Sequence, residues 1–540
     1  MNKQTVIRLI YGLACSFLLL SCGAQPLPSA SSSSSSSVAS SVVPSTSSAI
    51  PSSSSSSTEP SSSSSSSATS EDPFPTIPEN LPFSIPELSK PATPPLPFAL
   101  PDFANPSAGL TYVLNETGTA YSVSNANNGL SSPNLVIPET YQGLPVTAIA
   151  SEGFTERTWI SSVAIPKTIM KIGDGAFSLT NIRQLYFDAA TCQDFNARNW
   201  VFYPAETSSG MTIIIGKDVQ KLPARFLYPL VTEPTKLPTI SGVYFEAGSQ
   251  LTSLGDYAFY HCAGLTNLVL PESLRTIGDY AFSGTALTSL YLNDGLLSLG
   301  DSAGSATLSL SSVRFPASLT HLGQSAFFYS GITGADLSAC LALTNLSASA
   351  FKDCAHLVLA NTPKAIAQIG ESCFAHDTAL TNVYFGDEAK SLSLDASAFE
   401  GCLALKELYL PKNLVALGQA AFKGCAAVTI LYYACADLQD FASANEIFRN
   451  FGQATQVLFA ASVSHLPGRL FFSWSQESSI PDIKEVDFLS PSLQSIGAYA
   501  FFALKPTLIR SNLSCTAWKS ITVADHNDLI GDFAAKEAAK

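Results

Sequence analysis

The sequence predicts a β-rich solenoid with coils of about 23 residues, attached to a disordered N-terminal tether. One observation is a motif that recurs at nearly constant spacing between residues 147 and 505. The second is a serine- and proline-rich stretch before it that has too few apolar residues to form a core. Composition agrees, because 46% of the residues are hydrophobic and only 13% are charged, so the chain has to bury a large interior.

The recurring motif is I/L-G-x-x-A-F, which occurs at Ile172–Phe177, Leu254–Phe259 and Ile277–Phe282. A decayed copy carries Gly304 in place of the phenylalanine. The later copies end at Phe327, Phe351, Phe374, Phe399, Phe422 and Phe501. From Phe259 to Phe422 the copies follow one another at 22 to 25 residues. One such unit cannot bury its own apolar face, whereas stacked units can, and this predicts a solenoid.

Each coil also contains a segment of the form L-x-x-L-x-L, often followed by proline, as in Leu265–Pro271 and Leu405–Pro411. In a strand, its alternating tail turns two leucines inward and the residue between them outward. The outward residue is tyrosine in six of twelve coils: Tyr186, Tyr244, Tyr291, Tyr384, Tyr409 and Tyr432. The other six outward positions are Ala164, Val269, Arg314, Asp336, Val358 and Asp487.

Stacked in register, the six tyrosines would form an aromatic stripe on one face of the sheet. Tyrosine offers a large contact area at low entropic cost, which is typical of a recognition surface. Tyrosine also suits exposed strand positions and packs against its neighbours across the ladder, so ordinary β-sheet surface is the alternative. If the stripe binds a ligand, its centre is expected at Tyr384, Tyr409 and Tyr432, beside Asn382 and Glu407.

The N-terminus has the features of an export signal. Lys3 and Arg8 form a positive region before an apolar stretch of signal-peptide length, Leu9–Leu20, which is followed by Ser21-Cys22. The end of this stretch resembles the bacterial lipobox, which implies a signal peptide over residues 1–21 and acylation of Cys22. Gly23 follows the cysteine in place of the aspartate associated with inner-membrane retention. These features predict an outer-membrane lipoprotein, in either leaflet.

Residues 22–106 are predicted to be a disordered linker. The runs Ser31–Ser37, Ser52–Ser57 and Ser61–Ser67 predict a flexible coil. Proline recurs every few residues from Pro73 to Pro106, which predicts a stiffer polyproline II spacer. Together they would form a stalk that holds the folded part away from the lipid surface.

The complete repeat, L-x-x-L-x-L-P-x-x-L-x-x-I-G-x-x-A-F-x-x-C, resembles the BspA-like leucine-rich repeat of bacterial surface proteins, also called the Treponema pallidum type. The resemblance implies a right-handed leucine-rich-repeat solenoid over residues 147–505, preceded by an N-terminal β cap over residues 107–146. It also implies adhesion or protein recognition at the cell surface. The repeat fades after residue 505, and residues 506–540 are predicted to form a C-terminal cap with a short helix.

Several function classes are disfavoured. The formal net charge of −14 leaves no basic surplus for nucleic acid. The histidines and cysteines lack zinc-site spacing and no catalytic motif occurs, so we expect no enzyme activity, metal or cofactor. The aspartates after the motif glycine, such as Asp256 and Asp279, are interpreted as capping local backbone N–H groups. Cysteine alternates with threonine and serine three residues after the motif phenylalanine, which indicates packing; Cys402 and Cys425 are expected to be free thiols.

The sequence therefore predicts a cell-surface lipoprotein whose solenoid binds a protein ligand as an adhesin or scaffold. A glycan-binding module, or a non-catalytic accessory to polysaccharide degradation, is the alternative, because tyrosine rings also stack on sugars. Membrane contact is expected only through the N-terminal lipid anchor.

Overall fold

The computed structural model describes residues 79–205, 210–228, 239–442, 445–472 and 480–539. The predicted signal peptide, Cys22 and the serine runs lie outside these residues. The described chain is a parallel β-solenoid of about 15 turns with few helices, which confirms the predicted fold class. The cap region contains the strands Thr111–Leu114, Tyr121–Ser124, Asn134–Val136, Thr140–Tyr141 and Leu144–Ile149.

One side of the solenoid is built from strands that carry the outward residues, here called the face strands. They pair in parallel within four consecutive sheets, so equivalent positions of paired coils lie side by side. After Asn134–Val136 they are Ser162–Ile165, Gln184–Phe187, Met211–Ile215, Ile240–Phe245, Ser289–Tyr291, Ser312–Arg314, Gly334–Asp336, Leu359–Asn361, Asn382–Tyr384, Glu407–Leu410, Ile430–Tyr433, Thr455–Phe459, Ile483–Phe488 and Leu508–Ser511.

Shorter strands just before the motif glycine form the other side and are called the motif strands. They also pair in parallel from coil to coil. They are Lys171–Ile172, Lys221–Leu222, Ser253–Leu254, Thr276–Ile277, Ser298–Leu299, His321–Leu322, Asn345–Leu346, Gln368–Ile369, Leu392–Leu394, Leu414–Leu417, His465–Leu466, Ser495–Ile496 and Thr522–Val523. Two helices follow the last coils, Cys515–Ser520 and Asp528–Ala539.

The core between the two sides is one continuous apolar cluster. Its main feature is a column of motif phenylalanines, whose rings stack almost parallel from coil to coil. The centroids of Phe351 and Phe374 are 5.2 Å apart, and those of Phe374 and Phe399 are 5.1 Å apart. At the C-terminal end, Trp518 of the first helix packs edge-on against Phe488 at 5.6 Å. The column explains why the motif keeps its spacing, since each ring packs against the next.

The aspartates after the motif glycine accept backbone hydrogen bonds, as their repetition predicts. The partner is the next coil, however, and not the local turn. The Asp279 N–H donates to Asp256 Oδ1 at 3.0 Å, and the Asp301 N–H donates to Asp279 Oδ1 at 2.8 Å. Because backbone N–H groups at a coil corner need acceptors, this carboxylate ladder joins successive coils.

The small residue three positions after the motif phenylalanine is a buried hydrogen-bond donor. Thr285 Oγ1 donates to the Phe282 carbonyl at 2.8 Å, whereas the Cys402 thiol donates to the Phe374 carbonyl of the preceding coil at 3.2 Å. Cys402 and Cys425 are both buried free thiols, and burial raises the pKa of Cys402 well above its usual range. The structure confirms the packing interpretation and adds the donor function.

Asp377 occupies the same position but cannot donate when ionised. Its Oδ1 accepts the Cys354 N–H at 2.8 Å, and its buried Oδ2 has no hydrogen-bond partner. Burial raises the pKa of Asp377 well above the usual carboxyl range. The folded state therefore holds this proton more tightly than the unfolded state. This group weakens the fold as pH rises above the unfolded carboxyl pKa of about 4.

Replacing Asp377 by threonine, the residue that the repeat uses at position 285, should stabilise the protein at pH 7. The expected gain is about 1–3 kcal/mol, the usual cost of an unsatisfied buried polar group. Chemical denaturation across pH 4 to 7 measures it, and the gain should shrink towards pH 4. The exposed Asp437→Thr is the control, with a change below about 0.5 kcal/mol. A gain that is constant with pH would contradict a protonated Asp377.

Residues 79–106, which the sequence places in the disordered linker, lie against the face strands and are here called the strap. The strap has neither helix nor strand, but its side chains alternate between half-buried and exposed. Asn80 contacts the coil of Phe385, and Phe103 contacts Tyr186. The prediction of a free spacer is therefore wrong for this part of the linker, because proline-rich chain that cannot form its own core can still pack on an existing sheet.

Candidate ligand-binding face

The outward residues of the face strands form a row whose register is fixed by strand pairing within each of four consecutive sheets. Tyr186 lies beside Ile214, which lies beside Tyr244, and further along Tyr409 lies beside Tyr432. All six predicted tyrosines lie outside the solenoid core cluster, while their neighbours in the strands belong to it or pack against it. The predicted alternation is thus correct at every tyrosine.

The row differs from the sequence analysis at several positions, which include Val136 and Arg510 at its two ends. Asn361, not Val358, is the outward residue of its coil, because it pairs with Asp336 on one side and Tyr384 on the other. The face strands Met211–Ile215 and Thr455–Phe459 add Ile214 and Leu458, which the L-x-L pattern did not identify.

The N-terminal part of the row is buried beneath the strap. Ala164, Tyr186 and Ile214 form a second apolar cluster, and the strap residues Leu96, Phe98 and Phe103 pack on it together with Val136 and Tyr244. Tyr186 is only 5% exposed and Tyr244 is half-buried. The expectation that Tyr186 is an exposed ligand-binding residue is therefore wrong.

Hydrogen bonding fixes Tyr186 beneath the strap. Its hydroxyl donates to Glu246 Oε2 at 2.8 Å, and burial together with this bond raises the pKa of Tyr186 above its usual value. Burial raises the pKa of the nearby Asp188 to about 6, although the Asp218 N–H donates to this carboxyl at 3.0 Å. This end of the face is thus covered by the strap, and Tyr186 is not accessible to a ligand there.

The middle of the row carries charge. Arg314 lies over the Tyr291 ring at 5.1 Å and forms an ion pair with Asp294 at 2.5 Å. Tyr291 itself is half-buried. One strap residue joins this region, since Lys90 forms an exposed ion pair with Glu272.

Asn361 holds the strap by its backbone. The Phe83 N–H donates to Asn361 Oδ1 at 2.9 Å, and Asn361 Nδ2 donates to the Phe83 carbonyl at 2.8 Å. Asn80 Nδ2 donates to the Phe385 carbonyl at 2.9 Å in the next coil. Tyr384, which pairs with Asn361, is 3% exposed. The predicted exposure of Tyr384 is therefore also wrong.

Tyr409 and Tyr432 are the two tyrosines of the row that lie beyond the described strap. Both are half-buried, with ring centroids 6.3 Å apart and ring planes at 39°. Burial raises the pKa of both hydroxyls above the usual tyrosine value. Glu407, in the adjacent row, is exposed beside them. Of the three tyrosines predicted to form the centre of the binding site, Tyr409 and Tyr432 therefore keep accessible ring surface, with the polar Glu407 beside them.

The C-terminal end of the row is an ion cluster around one buried carboxylate. Asp487 is completely buried, and Arg510 in the next coil donates to its two oxygens at 2.5 and 3.0 Å. Gln456 Nε2 donates to Asp487 at 2.6 Å, and Arg510 also pairs with Glu485 at 3.2 Å. Both carboxylate oxygens of Asp487 accept hydrogen bonds from within the protein, so this cluster stabilises the fold.

The model of the BspA type leucine rich repeat region, of six copies, matches residues 126–222, 239–358, 305–429 and 393–526. These matches cover most of the chain. The protein belongs to the BspA-type leucine-rich-repeat family. The resemblance seen in the repeat is thereby confirmed. The comparison with curated proteins gives no match.

Solved structures to which the BspA-type protein is similar include several bacterial leucine-rich-repeat proteins. A Bacteroides ovatus leucine-rich repeat protein is 20% identical over 67% of this chain and all of its own, with a TM-score of 0.37. A leucine rich cell surface protein from Faecalibacterium prausnitzii is 18% identical over 79% of this chain and 98% of its own, with a TM-score of 0.27. The pneumococcal vaccine antigen PcpA is 15% identical over 80% of this chain and 96% of its own, with a TM-score of 0.33.

Within residues 79–205, 210–228, 239–442, 445–472 and 480–539, no group of three or more histidine, cysteine, aspartate or glutamate side chains is placed to hold a metal ion. Over the same residues, no helix is both long and apolar enough to cross a bilayer.

Proposed function

We propose that this BspA-type protein is displayed at the cell surface, where the face strands bind a protein ligand as an adhesin or scaffold. The observation that carries the proposal is the pair Tyr409 and Tyr432, held in register on adjacent strands with accessible ring surface. Aromatic residues on a rigid scaffold give binding energy at low entropic cost. The exposed Glu407 beside them supplies a polar rim that can orient a partner.

Capture of binding partners by the purified full chain, alongside protein and glycan arrays, tests the proposal. We expect capture of a specific protein. Binding to glycans alone would overturn the protein-ligand proposal in favour of a sugar-binding module. The solenoid would then use the same tyrosines for ring stacking.

The variant Tyr409→Ala/Tyr432→Ala should weaken binding of the captured protein by at least about 2 kcal/mol, or roughly thirtyfold, if either residue is a hot spot. The free energy of unfolding should fall by only about 0.5–1 kcal/mol for each ring, because the side chains lie outside the core. Tyr329→Ala is the control, since Tyr329 is 38% exposed on a turn that follows a motif strand. Unchanged affinity in the folded double variant would exclude this pair as the binding site.

We further propose that the protein is tethered to the membrane through acylated Cys22. The support is the lipobox-like Ser21-Cys22 after the apolar stretch. Cys22→Ser should release the protein from the membrane fraction and abolish incorporation of labelled palmitate, because several acyl chains give stable anchoring where one does not. Cys15→Ser is the control and should leave labelling unchanged. Undiminished labelling of Cys22→Ser would contradict lipidation.

A further inference from the structure

The strap has the periodicity of a polyproline II helix. From Ile85 to Pro94 every third residue is half-buried, and the two residues between are exposed. The half-buried positions are Ile85, Leu88, Pro91 and Pro94. A polyproline II helix has three residues per turn, so these side chains share one edge, which faces the sheet.

The strap crosses the face strands along the solenoid and does not join the sheet as a strand. Its contacts run in order from Asn80 at the Phe385 coil, through Phe83 at Asn361 and Lys90 at Glu272, to Phe103 at Tyr186. Proline lacks the N–H that a sheet ladder needs, so a proline-rich chain can bind a face but cannot extend the ladder.

Two devices on the face suit an extended chain of this kind. Asn361 is 1% exposed, and its amide bonds both the N–H and the carbonyl of a single strap residue. These two hydrogen bonds involve only the backbone of the strap residue, so the site would accept many side chains at that position. The apolar cluster around Tyr186 then takes the strap side chains Leu96, Phe98 and Phe103.

We propose that the face strands are a receptor for extended, proline-rich peptides, and that residues 79–106 occupy this receptor within the same chain. This inference rests on the proposed function and names the chemistry of its partner. The partner carries an apolar residue at every third position, followed by two aromatic residues that correspond to Phe98 and Phe103 of the strap. Such a peptide competes with the strap for Asn361 and the Tyr186 cluster, and reaches Tyr409 and Tyr432 beyond the strap's first described residue.

The test uses the full chain and a fluorescent peptide of residues 79–106. In the wild type the strap competes at the high effective concentration of a tethered ligand, so binding of the peptide should be undetectable. Leu96→Asp/Phe98→Asp should release the strap and permit peptide binding. Ala99→Asp/Leu100→Asp, at exposed strap positions, is the matched control and should behave like the wild type.

Two further variants connect the binding to the proposed contacts. Adding Asn361→Ala to the released chain should weaken peptide binding about tenfold or more, because two hydrogen bonds are lost. A peptide that carries Leu96→Asp/Phe98→Asp should fail to bind. If the released variant does not fold, Asn361→Ala alone should speed hydrogen exchange of the strap amides and permit weak peptide binding.

If the variant folds and releases its strap but does not bind the peptide, the inference is overturned. The strap of the wild type is then only a structural part of the fold. The same holds for Asn361→Ala if its strap exchanges freely while the peptide stays unbound. Neither result touches the proposed function, which is tested separately by capture of a protein partner and by its dependence on Tyr409 and Tyr432.

Discussion

Phe399→Ala is expected to lower the free energy of unfolding by about 3–5 kcal/mol, the usual cost of removing a buried phenylalanine. Phe399 is completely buried. Its ring stacks between Phe374 at 5.1 Å and Phe422 at 5.4 Å, and Phe385 contacts it edge-on at 5.4 Å. Truncation leaves a cavity that the coils on both sides cannot fill, because their own rings are held by further neighbours in the column.

Urea denaturation followed by circular dichroism measures this loss. In a solenoid each coil depends on its neighbours, so the variant should also weaken cooperativity between the two halves. Phe502→Ala is the matched control, since Phe502 directly follows a motif phenylalanine but is 38% exposed, and it should cost much less. Equal losses in the two variants would contradict a stabilising role for the phenylalanine column.

Arg510→Met is expected to destabilise the protein by about 3–5 kcal/mol, because it leaves the buried Asp487 without its charged partner. Gln456 would remain as a neutral donor at 2.6 Å, which cannot compensate for a lost guanidinium. Since Asp487 is the last but one member of the outward row, the loss should begin at the C-terminal coils.

The second substitution Asp487→Leu should restore much of this stability, since a buried ion pair can often be replaced by apolar residues at little cost. Lys484→Met is the control. It breaks an ion pair with Asp482 at 2.9 Å in which both side chains are nearly half exposed, and should change stability by less than about 1 kcal/mol. Thermal or chemical denaturation of the four proteins gives the comparison. A double variant no more stable than Arg510→Met alone would show that the ion pair is not the cause.

The solenoid could be predicted because the repeated residues make the same kinds of contact in most coils. From Phe351 to Phe422 each motif phenylalanine packs on the equivalent ring of the next coil, and Asp256 and Asp279 each accept a backbone N–H of the next coil. Tyr409 could be placed outward because it lies between two inward leucines. Tyr432 lies in the same way between the inward Leu431 and Tyr433. Local pattern and tertiary contact agree at these positions.

The predicted strand register is wrong in one coil, where small residues occupy the core positions. In the coil of Asn361 the repeat runs Leu357, Ala360, Thr362, and all three side chains are buried. Alanine and threonine do not match a leucine pattern, whereas the leucines on either side of Val358 do. The outward residue was thereby placed three positions too early.

The strap could not be found from composition, because its stabilising contacts lie far away in the sequence. Asn80 bonds a carbonyl 305 residues later. Proline-rich chain does not fold alone, and the sequence shows no complementary partner for it. The apolar residue at every third position from Ile85 to Pro94 was the available signal. The burial of Tyr186 and Tyr384 follows from the same long-range contacts.

The central claim is that a protein ligand binds the face strands at Tyr409 and Tyr432. Hydroxyl-radical footprinting of the full chain, with and without the captured protein, tests it most directly, because it reports the accessibility of individual tyrosine rings. The ligand should slow oxidation of Tyr409 and Tyr432 several-fold and leave Tyr329 unchanged. Protection of Tyr329, with Tyr409 and Tyr432 oxidised as fast as in the free protein, would contradict the claim.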